Sequence, residues 1–166
     1  MFKLIIVDYE KCIGCKTCEQ ACSAKQTRIV NPLLSRIGIV RFQMGIENIP
    51  MVCQQCQSAP CQAICPVEAI SKDELLGRVV IDYDICIGCR MCVAVCPFGC
   101  VNFDPMEKKV FKCNLCDGDP TCVKFCQHGA LQYIEASEQG VIKQAAEAEK
   151  LSGIMHKIAA AMAAVQ

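Results

Sequence analysis

Short apolar runs, and no long ones, mark most of this 166-residue chain. Two runs rich in β-branched residues, IIV at 5–7 and VVI at 79–81, each precede an Asp-Tyr-acid triplet. Both runs predict short strands. The segments RIGIVRF (36–42) and VNFDPMEKKVFK (101–112) predict further short strands or a hairpin. The chain up to residue 134 is therefore expected to combine short strands with loops and short helices.

Residues 136–166 have a different pattern. Apolar side chains recur there at three- and four-residue steps, which predicts an amphipathic helix. The residues of this stripe are Val141, Ala145, Ala148, Leu151, Met155, Ile158 and Met162. At about 1.5 Å per residue, such a helix would reach almost 40 Å. Two alternatives stay open: it folds back on its own domain, or it docks onto a partner subunit or a second copy of this chain.

Cysteine makes up 17 of the 166 residues, far above ordinary usage. Such density is typical of disulfides in secreted chains and of metal sites in intracellular ones. The first ten residues, MFKLIIVDYE, lack the long apolar run and cleavage site of a secretory signal. No apolar stretch reaches the length of a membrane span. We therefore predict a cytoplasmic protein without a membrane span, whose cysteines bind metal.

Charge and aromatic content argue against a nucleic-acid partner. Lysine plus arginine and aspartate plus glutamate each number 17, so the formal net charge is zero. There is no tryptophan, and aromatic residues make up 5% of the chain. A basic face and stacking side chains are the usual footprint of nucleic-acid binding, and the sequence offers neither.

The cysteines other than Cys100 fall into four groups of four. The groups are Cys12, Cys15, Cys18 and Cys22; Cys53, Cys56, Cys61 and Cys65; Cys86, Cys89, Cys92 and Cys96; and Cys113, Cys116, Cys122 and Cys126. The first and third groups read C-x2-C-x2-C-x3-C, the spacing that bacterial ferredoxins use for [4Fe–4S] clusters. The second and fourth groups keep both ends of this pattern and widen its middle. The sequence therefore predicts four [4Fe–4S] clusters.

The spacing has a physical basis. Three thiolates on a tight loop reach three corners of a cubane cluster, and the fourth cysteine points away to serve a neighbouring cluster. Gly14 and Gly88 lie where the backbone must come close to inorganic sulfur. Structural zinc and a disulfide framework are the disfavoured alternatives. Cys100 is expected to be a small buried apolar residue, with its role left open.

The repeat extends beyond the cysteines, because IIVDYEKCIGC and VVIDYDICIGC match in both strand and ligand positions. The predicted fold class is α+β, with two ferredoxin-like dicluster lobes and a C-terminal helical extension. The four-cluster domain is expected over 1–134. Its lobes are interleaved, 1–30 with 105–134 forming one and 50–104 the other, and 136–166 forms the extension.

The order of the groups, with NPLLSRI after the first and CNLCDGDPTC in the fourth, resembles the four-cluster iron–sulfur subunits of oxidoreductase complexes. The chain most resembles the small electron-transfer subunit of tungsten aldehyde oxidoreductases. This resemblance implies a crossed ligand pattern, which defines four sets. Set 1 is Cys12, Cys15, Cys18 and Cys126; set 2 is Cys113, Cys116, Cys122 and Cys22; set 3 is Cys53, Cys56, Cys61 and Cys96; set 4 is Cys86, Cys89, Cys92 and Cys65.

The resemblance also implies a function. The chain is expected to be a non-catalytic subunit that relays electrons between a tungsten or molybdenum oxidoreductase of the aldehyde oxidoreductase type and another redox partner. The expected partners are that larger catalytic subunit, a flavin subunit, and a second copy bound through the C-terminal helix. A subunit of a hydrogenase or carbon monoxide dehydrogenase and a freestanding polyferredoxin are the alternatives. No nucleophile–histidine pair or phosphate-binding loop suggests catalysis by the chain itself.

Charge near the clusters suggests an order of potentials. An oxidised cluster with four thiolates carries about −2, so the loaded protein would be near about −8. Six lysines near the first and fourth groups offset part of this charge: Lys11, Lys16, Lys25, Lys109, Lys112 and Lys124. The hypothesis at this stage is that the lobe of these two groups holds the higher-potential clusters.

Overall fold

The computed structural model describes residues 2–42 and 47–136, and Gly153 alone beyond them. The helix predicted for 136–166 falls outside these residues, apart from Ala136 and Gly153. Within the described ranges, short helices and antiparallel strands alternate, which confirms the α+β class. In the same ranges, no helix has the length and apolar character needed to cross a membrane.

Eight short strands in the described residues pair into four two-stranded antiparallel sheets. β1 (Lys3–Val7) pairs with β8 (Leu131–Glu135), β2 (Ile37–Phe42) with β3 (Glu47–Val52), β4 (Ile70–Lys72) with β5 (Val79–Ile81), and β6 (Val101–Asp104) with β7 (Lys109–Lys112). The strands predicted at 5–7 and 79–81 and the hairpin predicted within 101–112 are confirmed. The β1–β8 pair joins the two ends of the described chain, with Ile5 opposite Tyr133.

Each of the four α-helices within residues 2–42 and 47–136 carries the third cysteine of its group near its start. The helices are α1 (Thr17–Thr27), α2 (Pro60–Ala63), α3 (Met91–Val95) and α4 (Thr121–Lys124). Three-residue or four-residue 3-10 turns cover Tyr9–Lys11, Pro32–Leu34 and Leu115–Gly118. Proline at the first position of α2 suits a helix start, because that position needs no amide hydrogen for an intrahelical bond.

Two separate apolar cores lie between these elements. The first contains Ile5, Ile37, Val52, Leu115 and Leu131 together with the thiols of Cys18, Cys22, Cys113 and Cys122. The second contains Ala59, Ile70, Val79, Val101 and Val110 together with Cys61 and Cys92. Both strands of the β6–β7 hairpin contribute to the second core, through Val101 and Val110. The hairpin therefore crosses the lobe boundary at 104/105 that the sequence suggested. Cysteine side chains thus lie at the centre of both cores.

Candidate iron–sulfur centres

All seventeen cysteines lie within the described residues, and each is a free thiol. Cys15 and Cys89 are exposed, whereas the others are buried or partly buried. Within residues 2–42 and 47–136, no three His, Cys, Asp or Glu side chains converge on a point where one metal ion could bind. The thiols instead gather around larger spaces.

The four cysteines of set 1 line one cavity. Its other lining residues include Ile13, Phe125, His128 and Leu131. Burial raises the pKa of the Cys12 thiol, and the neighbouring thiolates of Cys15 and Cys126 raise it further. The structure therefore brings Cys126 to the first cysteine loop although more than a hundred residues separate them.

The four cysteines of set 4 line a second cavity, together with Val67, Ile70 and Val110. Burial raises the pKa of Cys92 to about 11, and the thiolates of Cys61, Cys89 and Cys86 act in the same direction. Cys65, the fourth cysteine of the second group, thus faces the loop of the third group.

The members of sets 2 and 3 lie within electrostatic range of one another in the interior. Burial is the largest cause of the raised pKa of Cys122, and the thiolates of Cys113, Cys22 and Cys116 add to it. Burial likewise raises the pKa values of Cys56 and Cys61, with contributions from the Cys53 and Cys96 thiolates. All sixteen grouped cysteines thus have neighbours from their own set. Which four bind each cluster stays a prediction.

A donor set made only of thiols fits an iron–sulfur cluster. Backbone amides donate to the sulfur atoms of Cys22, Cys65 and Cys96 over 3.3, 3.3 and 3.4 Å. Another amide donates to Cys113 Sγ over 3.4 Å. Side chains contribute as well, since Thr17 Oγ1 donates to Cys15 and Gln26 Nε2 to Cys116, both over 3.4 Å. Hydrogen bonds to ligand sulfur stabilise its negative charge and tune the potential of a bound cluster.

One backbone turn recurs in all four groups. The residue before the second cysteine has a left-handed conformation, with φ of +69°, +49°, +67° and +56° at Gly14, Gln55, Gly88 and Leu115. The two glycines adopt it freely, whereas a larger residue there carries strain of order 1–3 kcal/mol. The sequence indicated this turn only where glycine stands. Its presence at Gln55 and Leu115 shows that the widened groups keep the same first loop.

Gly14→Ala is expected to destabilise the protein by about 1–3 kcal/mol. A Cβ atom at Gly14 would collide with the side chain of Asn48 as well as taking a left-handed backbone. Gly129→Ala is the matched control, because Gly129 has φ of +65° but open space around its Cβ position. Denaturant unfolding of the anaerobic, iron-loaded protein measures both variants. Equal losses of stability would show that the contact with Asn48 contributes nothing.

A buried polar network lies between the second and fourth cysteine groups, and sequence reasoning missed it. Lys112 Nζ donates to the carbonyl of Cys113 over 3.0 Å, to the carbonyl of Val79, and to Gln55 Oε1 over 3.4 Å. Gln55 Nε2 donates to the same Cys113 carbonyl over 2.9 Å, and Gln55 Oε1 accepts from Val79 N over 2.8 Å. The sequence of β7 did indicate a buried lysine, because alternation along a strand puts Lys112 on the same inward face as Val110.

Three of the six lysines counted earlier are paired with carboxylates. Lys11 lies 2.6 Å from Asp8, Lys16 lies 3.8 Å from Glu19, and Lys124 lies 2.5 Å from Asp119. These partners offset the positive charge that the sequence assigned to the first and fourth groups.

The chain matches two models of iron–sulfur proteins. Residues 44–136 match the 4Fe-4S dicluster domain, and residues 3–24 match a 4Fe-4S binding domain. A ferredoxin of Methanocaldococcus jannaschii is 40% identical over 83% of this chain and 76% of its own length. The polyferredoxin-like subunit of the aliphatic sulfonate oxidoreductase of Pyrococcus furiosus is 35% identical, over 93% and 91% of the two chains.

Two further proteins are similar at lower identity. Subunit 2 of the formate hydrogenlyase of Escherichia coli is 28% identical over 83% of this chain and 84% of its own length. The active-site complex BamBC of benzoyl-coenzyme A reductase is a solved structure that aligns with 90% of this chain and 89% of the matched chain, at a TM-score of 0.47 and 26% identity. The dicluster match alone covers more than half of the chain, and thiol sets surround the spaces in both cores; the chain belongs to the 4Fe-4S dicluster domain family.

Proposed function

We propose that this chain is a non-catalytic electron-transfer subunit that carries four [4Fe–4S] clusters, one in each of sets 1 to 4. When bound, each cluster accepts and releases one electron. The supporting observation is that thiols of neighbouring sets share a core: Cys18 of set 1 lies with Cys22, Cys113 and Cys122 of set 2 in the first, and Cys61 of set 3 with Cys92 of set 4 in the second. The Cys18 thiolate acts on the pKa of Cys122, that of Cys53 on Cys113, and that of Cys61 on Cys92. These three pairs support the order 1, 2, 3 and 4 for the sets.

The two ends of this series are the points where electrons enter and leave. Cys15 in set 1 and Cys89 in set 4 are the exposed thiols of the chain. Beside them, Ile13 and Ile87 at the tips of the two CIGC loops are 61% and 65% exposed. Apolar tips beside exposed ligands suit docking of redox partners, because burial there would exclude water from the transfer site.

The partner is proposed to be a larger catalytic oxidoreductase in the cytoplasm, with a tungsten or molybdenum cofactor of the aldehyde oxidoreductase type. The likeness to a subunit of the Pyrococcus sulfonate oxidoreductase supports a catalytic partner of the oxidoreductase class. A flavin subunit is proposed as the second redox partner. The likeness to a formate hydrogenlyase subunit favours a hydrogenase-type complex as the second candidate function.

Anaerobic purification through a tag on this chain, followed by metal analysis, tests the proposal. We expect a larger subunit with tungsten or molybdenum, and about sixteen irons per copy of this chain beyond the partner's own. Nickel in the partner would move the assignment to the hydrogenase or carbon monoxide dehydrogenase alternative. Recovery of this chain alone with all its iron would make it a freestanding polyferredoxin. An iron content well below sixteen would contradict four clusters.

Truncation after Ala136 is expected to abolish assembly with the partner or with a second copy while leaving the iron content unchanged. The cut preserves the whole β1–β8 pair, since its last register position joins Lys3 to Glu135. The removed segment carries the apolar stripe of the predicted amphipathic helix, which suits a groove on a partner. Light scattering with and without partner measures the assembly. If the truncated chain and the full-length chain form assemblies of the same kind with the partner, the extension is not needed for docking. That result would favour an extension that folds back on its own domain.

A further inference from the structure

Lys112 is a buried cation at the junction of the two cores. Its residue exposure is 3%, whereas Lys109 on the same strand faces solvent. Ionised side chains are rarely buried, because removing a charge from water is costly unless nearby groups compensate for it. The position of Lys112 therefore requires an anionic neighbour.

The hydrogen-bond partners of Lys112 suit an ammonium group. Its Nζ atom is surrounded by three acceptors, the carbonyls of Cys113 and Val79 and the Gln55 side-chain oxygen. An ammonium has three N–H donors and no acceptor, which matches three oxygens. All three acceptors are neutral, and in the part of the chain that the structure describes no carboxylate lies within 4.0 Å of this nitrogen. The compensating charge must come from elsewhere.

The groups that the Lys112 charge acts on are predicted cluster ligands. Burial raises the pKa values of Cys56 and Cys61, and the positive charge of Lys112 opposes that rise at both thiols. The same holds at Cys113. Nζ bonds the carbonyl of Cys113 in set 2 and the side chain of Gln55, which stands between Cys53 and Cys56 of set 3, so the ammonium lies between the two interior sets. The sequence had assigned its charge to the fourth group alone.

The Gln55 side chain fixes the ammonium in place. It bonds Cys113 and Val79 as well as Lys112, so it connects the loop between Cys53 and Cys56 to both cores. Gln55 is also one of the residues held in a left-handed conformation. Such strain persists only where surrounding contacts impose it, and here those contacts are the ones that position Lys112.

We propose that Lys112 is a positioning residue for charge: its buried ammonium raises the reduction potentials of the clusters in sets 2 and 3. This inference rests on the proposed function, because it requires clusters at both sets. Reduction adds one negative charge to a cluster, and a fixed cation nearby favours that state. The effect is large in the interior, where solvent and salt screen little. Lys112 is not among the largest influences on Cys12 and Cys18 of set 1 or Cys92 of set 4, so the potentials of these two sets are expected to change less.

Redox titration of the full-length, iron-loaded protein, followed by EPR, tests this inference with four variants. Lys112→Met removes the charge and keeps the chain length; Lys112→Gln removes the charge and keeps a hydrogen-bond donor. Lys112→Arg keeps the charge. Lys109→Met is the matched control, since it removes an exposed charge from the same strand. The iron content of every sample is measured alongside.

In Lys112→Met we expect the reduction equilibrium of at least one interior cluster to become about tenfold or more less favourable, a fall of 59 mV in its one-electron midpoint. Lys112→Gln is expected to show the same fall, while Lys112→Arg and Lys109→Met keep the midpoints of the unmodified protein. Unchanged midpoints in the Met and Gln variants with full iron would overturn the inference.

Iron content separates the possible failures. Fewer than about sixteen irons in the unmodified protein would contradict the proposed function itself. If Lys112→Met loses iron and Lys112→Gln retains it, the titration of Lys112→Gln decides. Loss of iron from both would show that Lys112 acts through its hydrogen bonds on structure, and the inference about potentials would be wrong.

Discussion

Cys126→Ala is expected to remove the cluster of set 1, lowering the iron content from about sixteen to about twelve, or to about fifteen if a three-iron remnant stays. Cys126 lines the same cavity as Cys12, Cys15 and Cys18, and its thiolate acts on that of Cys12. An alanine cannot ligate iron, so three thiols remain where four are needed. Mössbauer iron counting and EPR of the reduced protein measure the loss.

Double variants identify which cluster is lost. If Cys126 and Cys12 serve one cluster, then Cys12→Ala combined with Cys126→Ala removes no more than one cluster. Cys116→Ala combined with Cys126→Ala should remove two, because Cys116 lies in set 2 beside Cys22. If instead Cys116→Ala with Cys126→Ala removes one cluster and Cys12→Ala with Cys126→Ala removes two, the crossed assignment is wrong.

Cys100→Ala is the matched control for these variants. Cys100 is as buried as Cys18, Cys22 and Cys122 among the predicted ligands, and burial raises its pKa to about 12, beside the thiolates of Cys53 and Cys96. Its thiol donates to the carbonyl of Phe98 over 3.3 Å, which is the contact of a packed, protonated side chain. We expect Cys100→Ala to retain all the iron and to lose about 1 kcal/mol of stability. Loss of a cluster would make Cys100 a ligand.

Local features of this fold could be predicted from the sequence, whereas its tertiary partners could not. The β-branched runs at 5–7 and 79–81 form strands because short-range propensity and the following turn agree there. No local pattern encodes the pairing of β1 with β8; a lobe that joins 1–30 to 105–134 was predicted, but not the strand pair within it. The β3 strand was also missed, since Pro50 interrupts its apolar pattern.

In the cysteine site, too, local features could be predicted from the sequence and tertiary partners could not. Cysteine spacing predicted the four groups, because three ligands of each cluster lie on one loop. The fourth ligand comes from another group, so the four sets could be predicted only from the family resemblance. The structure brings the members of each set together. The cluster that each thiol binds stays a prediction. Lys112 was assigned by its place in the sequence to the fourth group; its Nζ does bond the carbonyl of Cys113 in that group, but it also bonds Gln55 in the second group. Side-chain direction in a strand depends on register, which proximity in sequence does not provide.

Removal of iron under anaerobic conditions is expected to unfold the protein, with loss of its cooperative thermal transition and of most ordered far-UV circular dichroism. In the described part of the chain each sheet has two strands, of three to six residues, and isolated pairs of this kind are marginal in water. Both cores have thiols at their centres, so without clusters the apolar side chains surround empty or hydrated space. Where metal binding and folding are coupled, the binding free energy is part of the folding free energy.

The buried charge of Lys112 strengthens this expectation. With clusters bound, the ammonium lies beside anionic groups; without them, it is buried among neutral carbonyls and protonated thiols. An uncompensated buried charge is destabilising by several kcal/mol. Lys112→Met should therefore destabilise the iron-loaded protein without lowering the residual far-UV signal of the iron-free chain. Unfolding followed by circular dichroism, with iron and sulfide added back to restore the signal, measures both states. A cooperative transition in the iron-free chain would show that its two cores fold on apolar contacts alone.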